Sequence, residues 1–573
     1  MATSKQPGKP RTPRKKTERQ VTDGNTAPAS TAAASPAFSL GDKFARTTAP
    51  RELNDPEKRK KWGLPALDEP DKRGQYIVEL NVEHLGGLPG ATSDFLKLYN
   101  QVVGGVEAAP PPLRIAKSYY RCEFTDEGWR KLVAADEARP RRERAIYRLW
   151  PDFPVEAHMD RSIATIKADA ALRSFDAGGE GIVWAVIDSG VQATHPHFGD
   201  ADGPDKNHTH LLLAEDVVGL HRCFADVVEI VRGIPVNRGP LGDPDADPAM
   251  PLAQRDALLA QHRRHALDDA FGHGTHVAGI IAGRCPGQGN ICVFERQYKI
   301  HADGSNAERS FVVRTLDVTA LHGVAPRCKL ISLRVLDRNG KGRASQLIQA
   351  LEYLSDKIND NPKLMRVHGV NLSVGYEFDA EMFACGQSPL CTAVNRLVQS
   401  GVVVVAAAGN TGFGAVAADV GATKVGLSNT INDPGNAAMA ITVGSTHRDS
   451  PHTYGVSYFS SKGPTADGRL KPDIVAPGER ITSCAEGAKL SNAQRGAGVA
   501  GTGAASYIDD SGTSMAAPHV SGAIAAFLSI RREFIGKPLD VKRIFLDSAT
   551  PLGRERYFEG HGLVDLMRAI QSV

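Results

Sequence analysis

The stretch GTSMAAPHVSGAIAAFLSI, residues 512–530, decides the reading of this 573-residue chain. Gly512 and Thr513 turn the backbone into a helix. The Ala, Val, Ile and Leu residues crowded after Pro518 leave that helix almost no polar face, so it is expected to be buried on nearly all sides. Ser514 stands at its mouth. The first turn of a helix carries N–H groups without intrahelical acceptors and a partial positive charge, which suits an oxyanion forming beside the serine. A serine there also serves as a plain helix cap, so the decision passes to the rest of the chain.

Three upstream stretches bear on it. GIVWAVIDSG (181–190) is a β-branched run that leads into Asp188, as expected of a parallel strand whose carboxyl end opens onto a site. FGHGTHVAGIIAG (271–283) sets His273 between two glycines at the start of an apolar helix. GVVVVAAAG (401–409) is apolar throughout and is followed by Asn410. Each is ambiguous alone, since Gly409 and Asn410 also form a common turn pair and a lone histidine at a helix start is usually structural. In the order Asp, His, Ser they resemble the subtilisin-like serine proteases, the subtilases. The resemblance rests on VIDSG, HGTHVAG, AAAGN and GTSMAAPHVSG. Weaker matches lie between and beyond them: HGVAP (322–326), ISLRVLDRNGKG (331–342), NLSVG (371–375), VAPG (475–478) and GHGLVDLMRA (560–569).

The resemblance implies an α/β fold: a subtilisin-like three-layer domain with a mostly parallel sheet over 158–573, preceded by a small α+β, ferredoxin-like prodomain. It also implies roles. A serine hydroxyl is a poor nucleophile near neutral pH and needs a base, which His273 would supply, with Asp188 orienting the imidazole. The Asn410 side chain and the Ser514 backbone N–H would hold the oxyanion. A polypeptide substrate would pair with two edge segments, Leu372, Ser373, Val374 and Gly375 on one side and Asp337–Arg343 on the other, where Gly340 and Gly342 would let a second backbone approach. Ala406, Ala408 and Gly409 would form the floor of the first pocket. The function expected is that of a serine endopeptidase. The alternatives are an acyl-enzyme transpeptidase or peptide cyclase, in which an amine replaces water, and a catalytically silent binding module.

Residues 75–157 follow a different pattern. YIVELNV (76–82) and RIAKSYYRCEFT (114–125) alternate as strands, SDFLKLYNQVV (93–103) has helical spacing, and DEGWRKLVAADE (126–137) reads as a helix behind an Asp cap. RAIYRLWPDFPV (144–155) reads as a last strand. The family resemblance makes this module the chain's own intramolecular inhibitor, cut off near 154–159. Residues 1–74 are expected to be a disordered, basic and Pro-rich tail and linker, and the first 20 carry seven Lys or Arg against one Glu. Two excesses over the compact family pattern, about 199–268 and 284–321, read as surface insertions. The first has a helical run at 252–267, and the second has hairpin character in ICVFERQYKI and SFVVRTLDVTAL.

The formal charge of +3 and pI near 8.3 give no sign of a nucleic-acid partner. No apolar run long enough to span a membrane is apparent. The N-terminus lacks the apolar stretch of a secretory signal, so a cytoplasmic location is expected, with export by a non-standard route as the alternative. The eight cysteines contain no C-x-x-C pair and are expected to be thiols; Cys285 with Cys292, or Cys385 with Cys391, would bridge in an exported protein. No metal or other cofactor is expected, with calcium at the Asp-rich pieces as the weaker alternative. The Asp-rich pieces DADGPD (200–205) and DPDAD (243–247) lack the full calcium-ligand spacing.

Overall fold

Alternating apolar and polar residues build the first part of the chain into an antiparallel sheet. The structure is a computed structural model that describes residues 48–573 apart from 63, 70, 105–109, 153, 158–164, 200–209, 232–233, 286–290, 300–307, 317–320, 362, 380, 383, 419–420 and 500–504. Residues 1–47 of the basic tail, DADGPD (200–205) and the end of the expected processing segment lie outside the described residues. The described part of the expected linker is instead folded, with a helix over Pro56–Lys61 and with Leu53, Trp62 and Leu64 buried in the core of the module that follows, because its apolar residues cover that core. Strands β1 (Gly74–Leu80), β2 (Leu113–Ala116), β3 (Tyr119–Phe124) and β4 (Ile146–Pro151) pair antiparallel in the order β2-β3-β1-β4. Helices α1 (Gly87–Tyr99) and α2 (Asp126–Glu137) complete a βαββαβ module. Tyr76, Phe95, Tyr99, Phe124 and Trp129 are buried within it, with ring centroids 5.6 to 6.5 Å apart along the chain of contacts Phe95–Tyr99–Phe124–Tyr76–Trp129.

Three local expectations shift. RIAKSYYRCEFT is two strands, because the chain turns at Lys117–Ser118. The cap of α2 is Thr125, whose hydroxyl accepts from Gly128 N at 3.0 Å, while Asp126 pairs with Arg59 at 2.6 Å and Arg130 at 2.9 Å. RAIYRLWPDFPV breaks at Asp152: β4 ends at Pro151, and β5 (Pro154–Ala157) joins a different sheet.

Downstream come β6 (Val183–Asp188), β7 (Arg222–Cys223), β8 (Lys329–Arg334), β9 (Lys341–Arg343), β10 (Gly369–Leu372), β11 (Val374–Gly375), β12 (Val403–Ala407), β13 (Ile441–Thr446) and β14 (Ile474–Pro477). All but β9 and β11 form one parallel sheet in the order β14-β13-β12-β10-β6-β8-β7. Strands β6, β10, β12, β13 and β14 are buried along their whole length, which is why their sequences do not alternate. In β6, Ala185 and Ile187 pack on the face that carries α4 (Ala344–Tyr353) and the N-terminal module, and Trp184 and Val186 pack on the other. That second face carries α3 (His273–Ile281) and α5 (Thr513–Ile530), which pack on each other. Helix α5 is apolar and long enough to cross a membrane, but 89% of it is buried inside the fold.

The first excess segment contains a hairpin, Asp226–Val231 with Ile234–Pro240, and a helix over Leu252–Ala266. The second contains the hairpin Ile291–Lys299 with Glu308–Leu316. Its first strand also pairs parallel with Ser506–Asp510, the strand leading into α5. All eight cysteines are free thiols, and only Cys292 is not fully buried.

Candidate active site

The carboxyl ends of parallel strands and the first turns of the helices beside them converge at one place. Strand β6 ends in Asp188, and α3 begins at His273, both side chains fully buried. The Asp188 oxygens lie 2.8 and 2.9 Å from His273 Nδ1. The carboxylate oxygens are acceptors, so the bond is made by a proton on Nδ1, and in the neutral ring Nε2 is then the acceptor. Ser189 N donates to Asp188 Oδ1 at 2.7 Å, which fixes the carboxylate against its own strand. Gly274 permits the close fit: a Cβ there would lie 2.1 Å from Gly190 O and 3.0 Å from Asp188 Cβ.

A second buried carboxylate holds the start of α3. Asp269 Oδ1 accepts from Ser189 Oγ at 2.8 Å and Gly272 N at 2.7 Å, and Oδ2 accepts from Thr275 N at 2.8 Å and Thr275 Oγ1 at 2.7 Å. Ser189 Oγ in turn accepts from Gly274 N at 2.9 Å. Asp269 therefore satisfies first-turn N–H groups and locks β6 to α3. Sequence reasoning passed over it, although an acidic pair just before HGT is the signature of such a first-turn acceptor.

The other histidines near the sheet are held differently. His276, one turn along α3, points Nε2 at Ile508 O, 3.1 Å away, and burial with the nearby Lys489 charge keeps its pKa well below the usual value. His197 bonds Gly279 O and Tyr507 Oη, both at 3.2 Å, and burial lowers it to about 3. These are neutral structural side chains, whereas His273 is bound to a carboxylate.

Ser514 lies in the first turn of α5, where its N–H has no carbonyl one turn back. Its Oγ donates to Ser373 O at 3.1 Å, and no hydrogen bond joins it to His273 among the described residues. The contact is reciprocal, because Ser373 Oγ donates to Ser514 O at 2.8 Å. This explains how Pro518 is tolerated inside α5. Proline has no N–H for the carbonyl four residues back, which is that of Ser514, and Ser373 supplies the missing donor. Asn371 Nδ2 donates to Ser373 Oγ at 2.8 Å and Ser521 Oγ to Asn371 Oδ1 at 2.9 Å, so a buried chain of polar groups ties β10 to α5.

Asn410 follows β12. Its Oδ1 accepts from Thr513 N at 3.0 Å and Thr513 Oγ1 at 3.1 Å, and Thr513 Oγ1 accepts from Gly409 N at 3.1 Å. The amide is thereby oriented, with Nδ2 free of protein acceptors among the described residues. Ala406 and Ala408 are fully buried, and Leu372 pairs with Ala406 across β10 and β12.

The edge segments form a sheet of their own. Strand β5 lies antiparallel between β9 and β11, with pairs Lys341–Glu156, Gly342–Val155 and Arg343–Pro154 on one side and Val374–Ala157 and Gly375–Glu156 on the other. Gly342 lies opposite Val155 of the incoming strand, and both glycines are also limited by their own domain. A Cβ at 340 would lie 2.5 Å from the Phe271 ring, and one at 342 would lie 2.4 Å from Val335 O. Asp152, just before β5, is fully buried and accepts from Ser345 N at 2.9 Å and from Ser345 Oγ, in the first turn of α4. Among the described residues no cluster of three or more His, Cys, Asp or Glu could hold a metal ion.

Known proteins resemble this chain over the region that carries these residues. The sequence profile of the Subtilase family matches residues 179–563, about two thirds of the chain. Pyrolysin of Pyrococcus furiosus is 30% identical over 340 residues, 52% of this chain and 21% of pyrolysin. Serine protease AprX of Bacillus subtilis is 30% identical over 279 residues, 48% and 51% of the two chains. Subtilisin E of Bacillus subtilis is 29% identical over 315 residues, 55% and 60%. The matched region thus spans less than two thirds of each of these relatives.

Proposed function

The chain belongs to the Subtilase family, and from that premise we propose that it is a serine endopeptidase with Ser514 as nucleophile, His273 as general base and Asp188 as the carboxylate that orients the imidazole. The observation that carries the reading is the joining of a buried Asp188–His273 pair to a helix whose first turn holds Ser514, beside a cleft already occupied by an extended segment. The hydroxyl first swings from Ser373 O toward His273 Nε2. Attack then forms the Ser514 O–C bond while His273 takes the proton, and Asp188 stabilises the imidazolium. The oxygen of the tetrahedral intermediate is stabilised by Asn410 Nδ2 and the Ser514 N–H. Collapse breaks the C–N bond as His273 returns the proton to the amine. A water molecule, deprotonated by His273, then attacks the acyl carbon, and the Ser514 O–C bond breaks as His273 returns that proton to Ser514 Oγ and the acid leaves.

The N-terminal module is the prodomain in this reading, and β5 is the stretch that enters the cleft before being cut near 154–159. Two features support it: the antiparallel pairing of β5 on both sides, and the direct run from β4 through Asp152 into the cleft. Intact mass of purified wild type and Ser514→Ala tests it. The wild type is expected to yield two pieces with new ends at 154–159, and Ser514→Ala to remain whole. Equal full-length masses after incubation, with no cleavage of added peptides, would overturn the reading.

A further inference from the structure

The register of β5 carries information about selectivity at the same site, and an inference drawn from it rests on the endopeptidase reading. Glu156 stands opposite Lys341 on one side and Gly375 on the other. Directly opposed residues of an antiparallel pair present their side chains on one face with Cβ atoms about 4.5 to 5.5 Å apart, where opposite charges attract and like charges repel. Gly375 brings no side chain, so Lys341 is the strand neighbour that faces this position. Alternation sets Arg343 on the same face of β9, opposite Pro154. Lys341 is exposed and Arg343 half-buried. The acidic residue closest in sequence, Asp337, is engaged in the turn before β9, accepting Asn339 N at 2.8 Å and Lys341 N at 2.9 Å.

The position can be counted from the nucleophile. One residue back from the Val374–Ala157 pair along β11 is Ser373, whose carbonyl accepts the Ser514 hydroxyl. A bound polypeptide therefore brings its reacting carbonyl one residue past the partner of Val374. The partner of Lys341 is then third on the amino side of the bond to be cut. We infer that Lys341 is a specificity-determining residue that selects polypeptides with a carboxylate side chain at that third position.

A charge swap tests this in the full chain and in trans. Self-cleavage, followed by intact mass, is expected to slow in Glu156→Lys and in Lys341→Glu and to recover in the double variant. In trans, the incubated wild-type chain is given peptides of sequence PVEAHMDR and the same with Gln or Lys in place of Glu. Glu is expected to exceed Gln in kcat/KM by about 1.4- to 5-fold, with Lys slower still. Lys341→Glu is expected to reverse the Glu-to-Lys order, and comparing ratios within each enzyme cancels any general loss of rate. The preference should shrink as salt is raised, because Lys341 is exposed. Cleavage that needs Ser514 but has the same order in both enzymes, or no recovery in the double variant, would overturn the inference alone. Failure of the wild type to cut itself or any peptide would instead overturn the endopeptidase reading, and the inference with it.

Discussion

The buried site and the cleft sheet beside it are built on opposite plans. At the site, Asp188, His273, Ser514 and Asn410 are fixed by partners from at least four separate stretches: Ser189, Asp269, Ser373 and Thr513. Most of those partners have none of their surface in water. In the cleft, β5 is held by short backbone pairings on each side and by the Asp152 carboxylate behind it. Rigidity is thus concentrated where atoms must be placed to a fraction of an ångström, and reversibility where a strand must be exchanged for another. Backbone pairing suits the second task, because any extended polypeptide can provide it.

The largest expected effect falls on the first plan alone. Asp188→Asn keeps the shape but permits the wrong imidazole tautomer, and kcat is expected to fall about 10⁴-fold with the thermal midpoint little changed. Steady-state kinetics beside a thermal melt would check it; a variant within tenfold of wild type would refute the role given to Asp188. Next comes Asn410→Leu, which removes the proposed oxyanion donor and also leaves Thr513 without its acceptor. A loss of about 10² to 10³ in kcat with KM nearly constant is expected. A rise in KM alone would mean that Asn410 acts in binding and not on the developing charge.

Much of this contrast was legible in the sequence, for a physical reason. Each chemically active side chain sits within a short segment whose neighbours are constrained by the same geometry. Gly274 is excluded from being anything larger by Gly190 O, and the apolar run after Pro518 follows from complete burial of α5. Such constraints fix the residue types immediately beside the chemical group, as Gly274 stands next to His273, and so leave a readable local pattern even where the atom that imposes them is distant. What was not legible depends on pairs far apart in the chain. Ser373 Oγ and Asn371 look like ordinary strand polar groups until Ser514 and Ser521, about 150 residues away, are brought against them. Asp152 looked like the interior of a strand because its partner, Ser345, lies 193 residues downstream. The Thr125 cap was missed for the converse reason. Asp126 is the better first-turn acid by propensity, but Arg59 and Arg130 draw its carboxylate away from the helix end.

The third effect is on stability. Ser373→Ala removes the side-chain donor that reaches the Ser514 carbonyl in place of the N–H missing at Pro518, and it also strands Asn371 Nδ2. A buried polar group left without a partner costs about 1 to 3 kcal/mol. Denaturant unfolding should therefore show a lower midpoint at unchanged slope. Adding Pro518→Ala restores an N–H to the helix, so the Ser373→Ala deficit should be smaller in that background. Equal deficits in both backgrounds would break the proposed link between the serine and the proline.

The smallest effect belongs to the second plan, and its sign is set by Asp152. Burial pushes this carboxyl above its ordinary 3.8, outweighing the pull of Arg343 and the hydrogen bonds from Ser345. In the proposed processing, cutting β5 and losing the module would return the carboxyl to water and to its ordinary value. Protonation is thus favoured in the docked state, and this contribution to docking is complete below 3.8 and is lost as pH rises through the docked value. The cut module should accordingly be retained more firmly in mild acid and released more readily toward neutral pH. Asp152→Asn keeps the hydrogen-bonding shape without the titration, so its retention should vary less over the same window. The retained fraction, read by native mass across pH in the self-cleaved chain, decides the matter. Identical slopes for the two proteins would remove Asp152 from the release and leave backbone pairing as what holds the strand.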